Sequence, residues 1–173
     1  MVQTLGAYPT NEAAKPLTVN EHGLVSAPVI TLQGTIEAPV TAAADTIILC
    51  AIPTDARLLE VSLAFDDLET NAVAPDSTMH IGLFTKNVNT GVFTAVDNDA
   101  FAVSVDVFTA AIPLTNYRFS ALNIDTATQP TWDLATGLTA RPAYDRMYLG
   151  LTTAVSTLGT VVGTVSFRVL YTF

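Results

Sequence analysis

The side chains that most often catalyse reactions or bind metals are scarce in this sequence and lie far apart. The 173 residues include two histidines, His22 and His80, and one cysteine, Cys50. Cys50 lies in the apolar run 47–52, which predicts a small buried hydrophobe. The spacing provides no His/Cys metal site and no triad of nucleophile, histidine and carboxylate. The sequence therefore favours a protein that is not an enzyme and that carries no cofactor.

Acidic residues form two clusters at which a cation could bind. One cluster contains Asp66, Asp67 and Glu69, and the other contains Asp97 and Asp99. Carboxylate oxygens on loops are calcium ligands, but the glycine and the distal glutamate of the helix-loop-helix calcium loop are missing. The alternative is turn chemistry, in which Asp side chains accept hydrogen bonds from nearby backbone N–H groups. A glycosidase carboxylate pair is a further alternative, although the few aromatic residues fall mostly at apolar strand positions.

Arginine and tyrosine side chains are common anchors of protein interfaces and supply the candidate interface here. Leu49 joins them because its run, 46–52, is apolar enough for a strand buried on both faces or at a subunit contact. The alternative for the arginines is local pairing with Asp145 and neighbouring acids. The candidate interface residues are Leu49, Tyr117, Arg118, Arg141, Tyr144 and Arg146.

The composition excludes several classes of partner. The net charge is -9 with two lysines, so no basic stripe exists for nucleic acid, and anionic membranes are disfavoured. No apolar run approaches the roughly 20 residues of a membrane span, and no signal peptide is visible. We therefore expect a protein that is made in a cytoplasm and stays soluble. Charged residues are 13% of the chain against about 25% in typical domains, which favours either a partner-covered surface or an ordinary threonine-rich one.

The length fits one domain with a real core. Residues 1–27 show little periodicity and contain several glycines and prolines, so we expect an extended N-terminal arm. This arm either packs on its own domain or crosses to a neighbouring subunit. Residues 28–173 are then a single β-sandwich domain.

Alternation of apolar and polar residues predicts strands along the rest of the chain. In the third predicted strand, Leu59, Val61, Leu63 and Phe65 alternate with the residues between them, as in a half-buried strand. In the last, the buried face includes every second residue up to Phe173. A hairpin turn is predicted at 87–91, where glycine can supply a positive φ. The predicted strands cover 29–36, 46–52, 58–65, 79–84, 103–107, 117–124, 146–151 and about 160–173.

Two short helical turns are predicted between these strands. One covers 97–102 with Asp97 or Asn98 as its cap, and the other covers 130–137 with Thr131 as its cap. Trp132 is expected to plug one end of the fold rather than to bind a ligand. Turn signals recur every dozen residues or so and no long helical pattern separates the strands. The pattern therefore predicts an all-β antiparallel sandwich or barrel.

Several segments, taken in order, resemble small virion proteins of tailed bacteriophages that stabilise the head. The similarity covers roughly residues 45–173 and leaves 1–44 unmatched. It is strongest at 52–53, 65–68, 81–83, 99–102, 132–138 and 163–171. The segments are IILCAIPTDARLLEVSLAFDDLET, MHIGLFTKN, VDNDAFAVSVDV, PTWDLATGL, DRMYLGLTT and the valine-rich C-terminal stretch.

This resemblance implies a jelly-roll β-sandwich of about eight strands that acts as a capsid decoration, or cement, protein. It implies a homotrimer on the capsid surface of the virion, bound to the major capsid protein where shell subunits meet. The alternatives are a tail or head-fibre component with a receptor- or carbohydrate-binding sandwich, and a calcium-binding module. Neither nucleic acid nor a membrane is an expected partner.

Overall fold

A computed structural model describes residues 28–37, 45–66, 78–107, 111–118, 129–155 and 163–173. The predicted arm, 1–27, lies outside these residues. No helix in the described part of the chain is long and apolar enough to cross a membrane. The strands are β1 (Ile30–Glu37), β2 (Thr46–Pro53), β3 (Arg57–Phe65), β4 (Thr78–Lys86), β5 (Phe93–Val105), β6 (Ile112–Asn116), β7 (Arg146–Val155) and β8 (Thr164–Thr172).

The strands pair as a nested set of antiparallel partners. β1 pairs with β8, β2 with β7, β3 with β6 and β4 with β5. The nested pairs together resemble one long hairpin. Further pairing of β3 with β8 and of β4 with β7 folds it into two four-stranded sheets. The first sheet has the order β1-β8-β3-β6 and the second has the order β2-β7-β4-β5. This nesting is the eight-stranded jelly roll, so the expected all-β fold is confirmed.

The core lies between the two sheets and follows from the alternation of side chains along each strand. β8 buries every second residue from Val165 to Tyr171, and β7 does the same from Met147 to Leu151. Each fully buried aliphatic side chain contributes about 1.5–3 kcal/mol of transfer free energy. Phe173, predicted to continue this face, is 58% exposed because β8 ends at Thr172.

In β3 a bulge interrupts the predicted alternation at one position. The pairing of β3 with β8 shifts register between Leu58 and Glu60, so an extra residue enters the strand. Leu58 is 1% exposed and Leu59 is 37% exposed, the reverse of what strict alternation predicts. From Val61 to Phe65 every second residue is buried, as the alternation predicts, and Ser62 between them is buried as well.

The helical turn predicted at 97–102 is wrong, because β5 continues through it as a strand. The Asp97 carboxylate does accept the Asp99 N–H at 3.3 Å, as a capping residue would. The backbone nevertheless remains paired with β4, where Ile81 faces Ala102 and Leu83 faces Asp97. Five residue positions along β5 therefore lie opposite two positions along β4. Asp97 and Asp99, which resemble a helix cap, belong to this large bulge.

The strand predicted at 117–124 is wrong at its start, and residues 119–124 lie outside the described chain. The strand of this region is β6, which ends at Asn116. There the Asn116 Oδ1 accepts the Arg118 N–H at 3.0 Å and forms a turn. β6 contains Pro113 and is an edge strand, where a proline can be accommodated.

The second predicted helical turn is confirmed in a shorter form, as one turn of 3-10 helix at Thr131–Leu134. Thr131 is not its cap, since the N-cap is Pro130 and no side chain caps the turn. The Thr131 hydroxyl instead donates to the Ala56 carbonyl at 2.8 Å. Trp132 is half-buried against the core at this end of the sandwich.

The predicted hairpin turn between β4 and β5 is confirmed. Gly91 has φ of 72°, and its N–H donates to the Asn87 carbonyl at 2.8 Å. The Asn87 side chain accepts the Asn89 N–H at 2.9 Å, which holds the turn closed. Val88, within this turn, is almost fully exposed.

Candidate interaction surface

The structure separates the six candidate interface residues into an interior group and a surface group. Leu49 is 7% exposed and packs within the core. The pairing of β2 with β7 shifts register between Ile48 and Cys50, so Leu49 is the extra residue of a bulge. Cys50 is half-buried beside it, and burial raises the pKa of its thiol to about 12.

Tyr117 and Arg118 also belong to the interior of this chain. The Tyr117 N–H donates to the Val61 carbonyl at 2.8 Å, and the Arg118 Nε donates to the Leu58 carbonyl at 3.2 Å. Arg118 has no exposed surface, and burial lowers the pKa of its guanidinium. Burial likewise raises the pKa of Tyr117. These two residues attach the end of β6 to β3.

Arg141 lies on the surface and forms a bidentate ion pair. Its Nε and Nη2 donate to the two carboxylate oxygens of Asp55 at 2.7 and 2.6 Å. The hydrogen bonds lower the pKa of Asp55 and raise that of Arg141. Because both side chains are about half exposed, water screens the pair and its contribution to stability is small. Its role is to fix the segment before β7 to the turn before β3.

The same turn holds this segment through Thr54. The Thr54 N–H donates to the Asp145 carbonyl at 3.0 Å, and the Thr54 hydroxyl donates to the Tyr144 carbonyl at 2.8 Å. Tyr144 is half-buried, which raises its pKa, and Arg146 is exposed at the start of β7. The backbone that carries both candidates is therefore held to this turn at the carbonyls of Tyr144 and Asp145.

Tyr144 and Arg146 meet at a pocket of about 360 Å³ next to the β4–β5 hairpin. The pocket continues onto an aromatic pair, since the rings of Phe93 and Tyr148 stand edge to face with centroids 5.0 Å apart. The Lys86 ammonium lies 5.4 Å from the centre of the Phe93 ring. We call this site the hairpin pocket; it is lined by Lys86, Val88, Ala143, Tyr144, Asp145, Arg146 and Tyr148.

The hairpin pocket concentrates positive charge on an acidic chain. In the part of the chain that the structure describes, Lys86 and Arg146 form no ion pair, whereas Arg141 and Arg168 do. Asp145 also lines the pocket, and its charge acts on Arg141. The arrangement suits an anionic group, because Lys86 and Arg146 can pair with its charge while the tyrosine side chains provide apolar contact and a hydroxyl donor.

The outer surface of the second sheet carries a further apolar patch. Phe84 is buried although its strand neighbours place it on the side away from the core. A Cβ at Gly150 would lie 2.7 Å from the Phe84 ring and 3.0 Å from Ile48 Cδ1. The glycine therefore lets the ring lie flat on β7. The corresponding surface of the first sheet is polar, with Thr35 hydrogen-bonded to Ser166 and Arg168 paired with Glu60.

Residue types alone missed three members of this surface: Lys86, Phe84 and Phe93. The alternation of β4 already placed Phe84 opposite Ile81 and Leu83. An aromatic residue on the solvent side of a half-buried strand is the signal that could have identified it.

The second acidic cluster is a structural connection. The Asp97 Oδ2 accepts the backbone N–H and the hydroxyl of Thr136 at 2.8 and 2.7 Å. Burial disfavours the charged Asp97 carboxylate, but hydrogen bonds from Thr136 and Asp99 outweigh it and lower its pKa. A hydrogen bond with Asp97 in turn raises the pKa of Asp99. Among the described residues, no three His, Cys, Asp or Glu side chains are grouped to hold a metal.

The other residues considered for catalysis or metal binding do not form a site among the described residues. His80 Nδ1 accepts the Ser104 N–H at 3.1 Å in the β4–β5 ladder. Asp66 accepts a hydrogen bond from the Thr164 hydroxyl. His22, Asp67 and Glu69 lie outside the described residues.

No protein-family model matches the sequence, and no curated protein matches it. Solved structures do match. One is the capsid of Ralstonia phage GP4, with a TM-score of 0.59 and 21% identity over 84% of this chain and 84% of that chain. Another is the cyanophage Pam1 capsid asymmetric unit, with a TM-score of 0.53 and 20% identity over 91% of this chain and 92% of that one. The likeness is one of fold, and these structural neighbours are phage capsid chains, as the sequence resemblance predicted.

Proposed function

We propose that this chain is a non-enzymatic virion protein that binds the outside of a phage capsid and stabilises the junctions between shell subunits. The observation that supports this most is the shared jelly roll, which matches chains of two phage capsids over most of both lengths. The matched chains are of similar size to this one, as the equal coverage in each direction implies. The proposed location is the capsid surface, and the proposed partner is the major capsid protein.

The two outer surfaces of the sandwich suggest which side faces the shell. The second sheet carries the hairpin pocket and the Phe84 patch, whereas the first sheet carries polar side chains. Interfaces are enriched in aromatic residues and arginine relative to the rest of a surface. We therefore assign the shell contact to the second sheet, with Tyr144, Tyr148 and Arg146 as its anchors.

The energetics of attachment follow from mass action. A protein that binds the assembled shell and not its separated subunits shifts the equilibrium towards the shell. The homotrimer implied by the sequence resemblance would repeat one modest contact three times, which raises the overall affinity. The trimer is part of the same proposal.

The experiment is co-sedimentation with capsids that lack this protein. The test variant combines Lys86→Gln and Arg146→Gln, which removes both cations of the hairpin pocket. The control combines Arg57→Gln and Arg168→Gln, which removes the same charge elsewhere. We expect wild type and control to bind saturably, and the test variant to bind at least about tenfold more weakly, or about 1.4 kcal/mol.

Two results would contradict the proposal in different ways. If wild type does not bind capsids but binds host cells or purified glycans, the decoration role is wrong and a receptor-binding role replaces it. If the test variant binds capsids as wild type does, the role stands but the hairpin pocket is not the contact.

A further inference from the structure

The strand β1 lies at the edge of the first sheet, and within the described residues no strand covers its outer side. β1 pairs with β8 on one side, and no described residue pairs with it on the other. The β1–β8 ladder runs through eight consecutive residue pairs from Ile30–Tyr171 to Glu37–Thr164 without a register shift. An unbroken edge of this kind offers a row of backbone N–H and C=O groups to another strand.

The other three edges carry features that obstruct such pairing. β6 has five residues and includes Pro113, which has no N–H to donate. β2 contains the Leu49 bulge. β5 has several register shifts and a positive φ at Ser104. β1 has none of these devices and no lysine, and its single charged residue, Glu37, is at its end.

The inward residues of β1 show that the sandwich is incompletely covered at this edge. Ile30, Leu32 and Ile36 pack against the core but remain only half-buried. The residues between them, such as Gln33, are exposed on the polar outer surface. A strand added beside β1 would cover the apolar residues, provided that its own alternation matches.

β1 can pair with a second copy of itself in an antiparallel register that keeps the two faces matched. With Gln33 opposite Gln33 of a second copy, inward residues meet inward ones and outward residues meet outward ones. Glu37 then lies opposite Val29, so no like charges oppose each other. The Phe167 ring occupies the side-chain space of Gly34, within 2.9 Å of where a Cβ would be, so Leu32 of the second copy would pack over that ring. The resulting pairs are Ile30–Ile36, Thr31–Thr35, Leu32–Gly34 and Gln33–Gln33.

We infer that β1 pairs with β1 of a second copy of this chain about a twofold axis. The two first sheets then form one continuous sheet of eight strands, and the contact is isologous. It is therefore distinct from a threefold contact, and it does not depend on binding to a capsid. A second copy is the partner that we infer, because β1 can pair with itself face to face and because, among the described edge strands, it lacks the features that obstruct the others.

The test places charges on the twofold axis. Gln33→Lys and Gln33→Glu each bring like charges face to face in a homodimer, whereas an equal mixture places Lys opposite Glu. Gln33 is exposed, so both variants should fold. The matched controls are Thr94→Lys and Thr94→Glu, on the exposed edge of β5. The measurement is mass in solution by analytical ultracentrifugation over a range of protein concentration.

We expect wild type and the Thr94 variants to have a mass that is an even multiple of the 18.3 kDa chain, which is six chains where the proposed trimer also forms in solution and two where it does not. Each Gln33 variant alone should have half that mass, and mixing the two should restore it. The inference is overturned if wild type is a monomer or an odd oligomer, or if the Gln33 variants keep its mass. It is also overturned if the mixture does not re-associate, since a contact that brings the two Gln33 side chains together predicts this rescue.

Discussion

The position of Leu49 is decided by the bulge in β2, which turns the extra residue of an apolar run into the core. We predict that Leu49→Asp unfolds the chain, because a carboxylate there has no partner and leaves a cavity. The expected loss is about 3 kcal/mol or more in the free energy of unfolding. Urea denaturation measures this loss, and sedimentation measures the mass in parallel.

Leu114→Asp is the matched control for this prediction. Leu114 is 48% exposed on the edge strand β6, so a charge there stays hydrated and stability should change by less than about 0.5 kcal/mol. If Leu49→Asp instead leaves a folded protein of lower mass, Leu49 belongs to a subunit contact and not to the core.

Residue types identified interface-like side chains but not their locations. Tyr117 and Arg118 look like Tyr144 and Arg146 in sequence, since each is an aromatic and a cation near a turn. Arg118 is buried because its Nε reaches the Leu58 carbonyl, 60 positions earlier in the chain. Arg146 is exposed because its strand begins at the surface. A contact between residues so far apart in the sequence depends on the folded chain, and local sequence patterns do not predict it.

Among the elements, the crossing of β5 over β4 depends on a glycine. A Cβ at Gly82 would lie 2.2 Å from the Asp97 carbonyl oxygen, which is part of the backbone and cannot turn aside. At Gly150 the nearest atoms belong to the Phe84 ring, which can rotate or shift. We predict that Gly82→Ala costs about 3 kcal/mol and Gly150→Ala about 1 kcal/mol in urea denaturation. Equal costs for both variants would show that β5 does not pass over Gly82 in this way.

Strands were predictable wherever alternation is regular, and they were misjudged where bulges interrupt it. β7 and β8 bury the residues that the pattern predicts, because successive side chains of a regular strand point to opposite faces of the sheet. In β3 and β5 the extra residues shift the pattern, and at Asp97 they imitate a helix cap. A bulge is set by the partner strand, so its place cannot be read from one strand alone.

At the scale of the whole molecule, the two proposed contacts use different parts of the sandwich. The hairpin pocket lies beside the β4–β5 hairpin of the second sheet, and the open edge of β1 lies in the first sheet. Residues on these two sites do not overlap, so a chain could bind a shell and a second copy at the same time. Linked copies would bind the shell with higher overall affinity than single ones.

With a net charge of -9, free copies repel one another, so self-association should strengthen as salt is added.

The last prediction concerns the stability of the assembled capsid. We expect the melting temperature of capsids lacking this protein to rise with its free concentration. At about 100 times the dissociation constant, each bound site gains about 2.7 kcal/mol. Calorimetry across a concentration series measures the rise, and the variant with Lys86→Gln and Arg146→Gln should require at least about tenfold more protein for the same shift. A melting temperature that stays constant while the protein is bound would mean that it adds no stability to the shell. The chain would then be attached to the capsid for another purpose, such as host recognition.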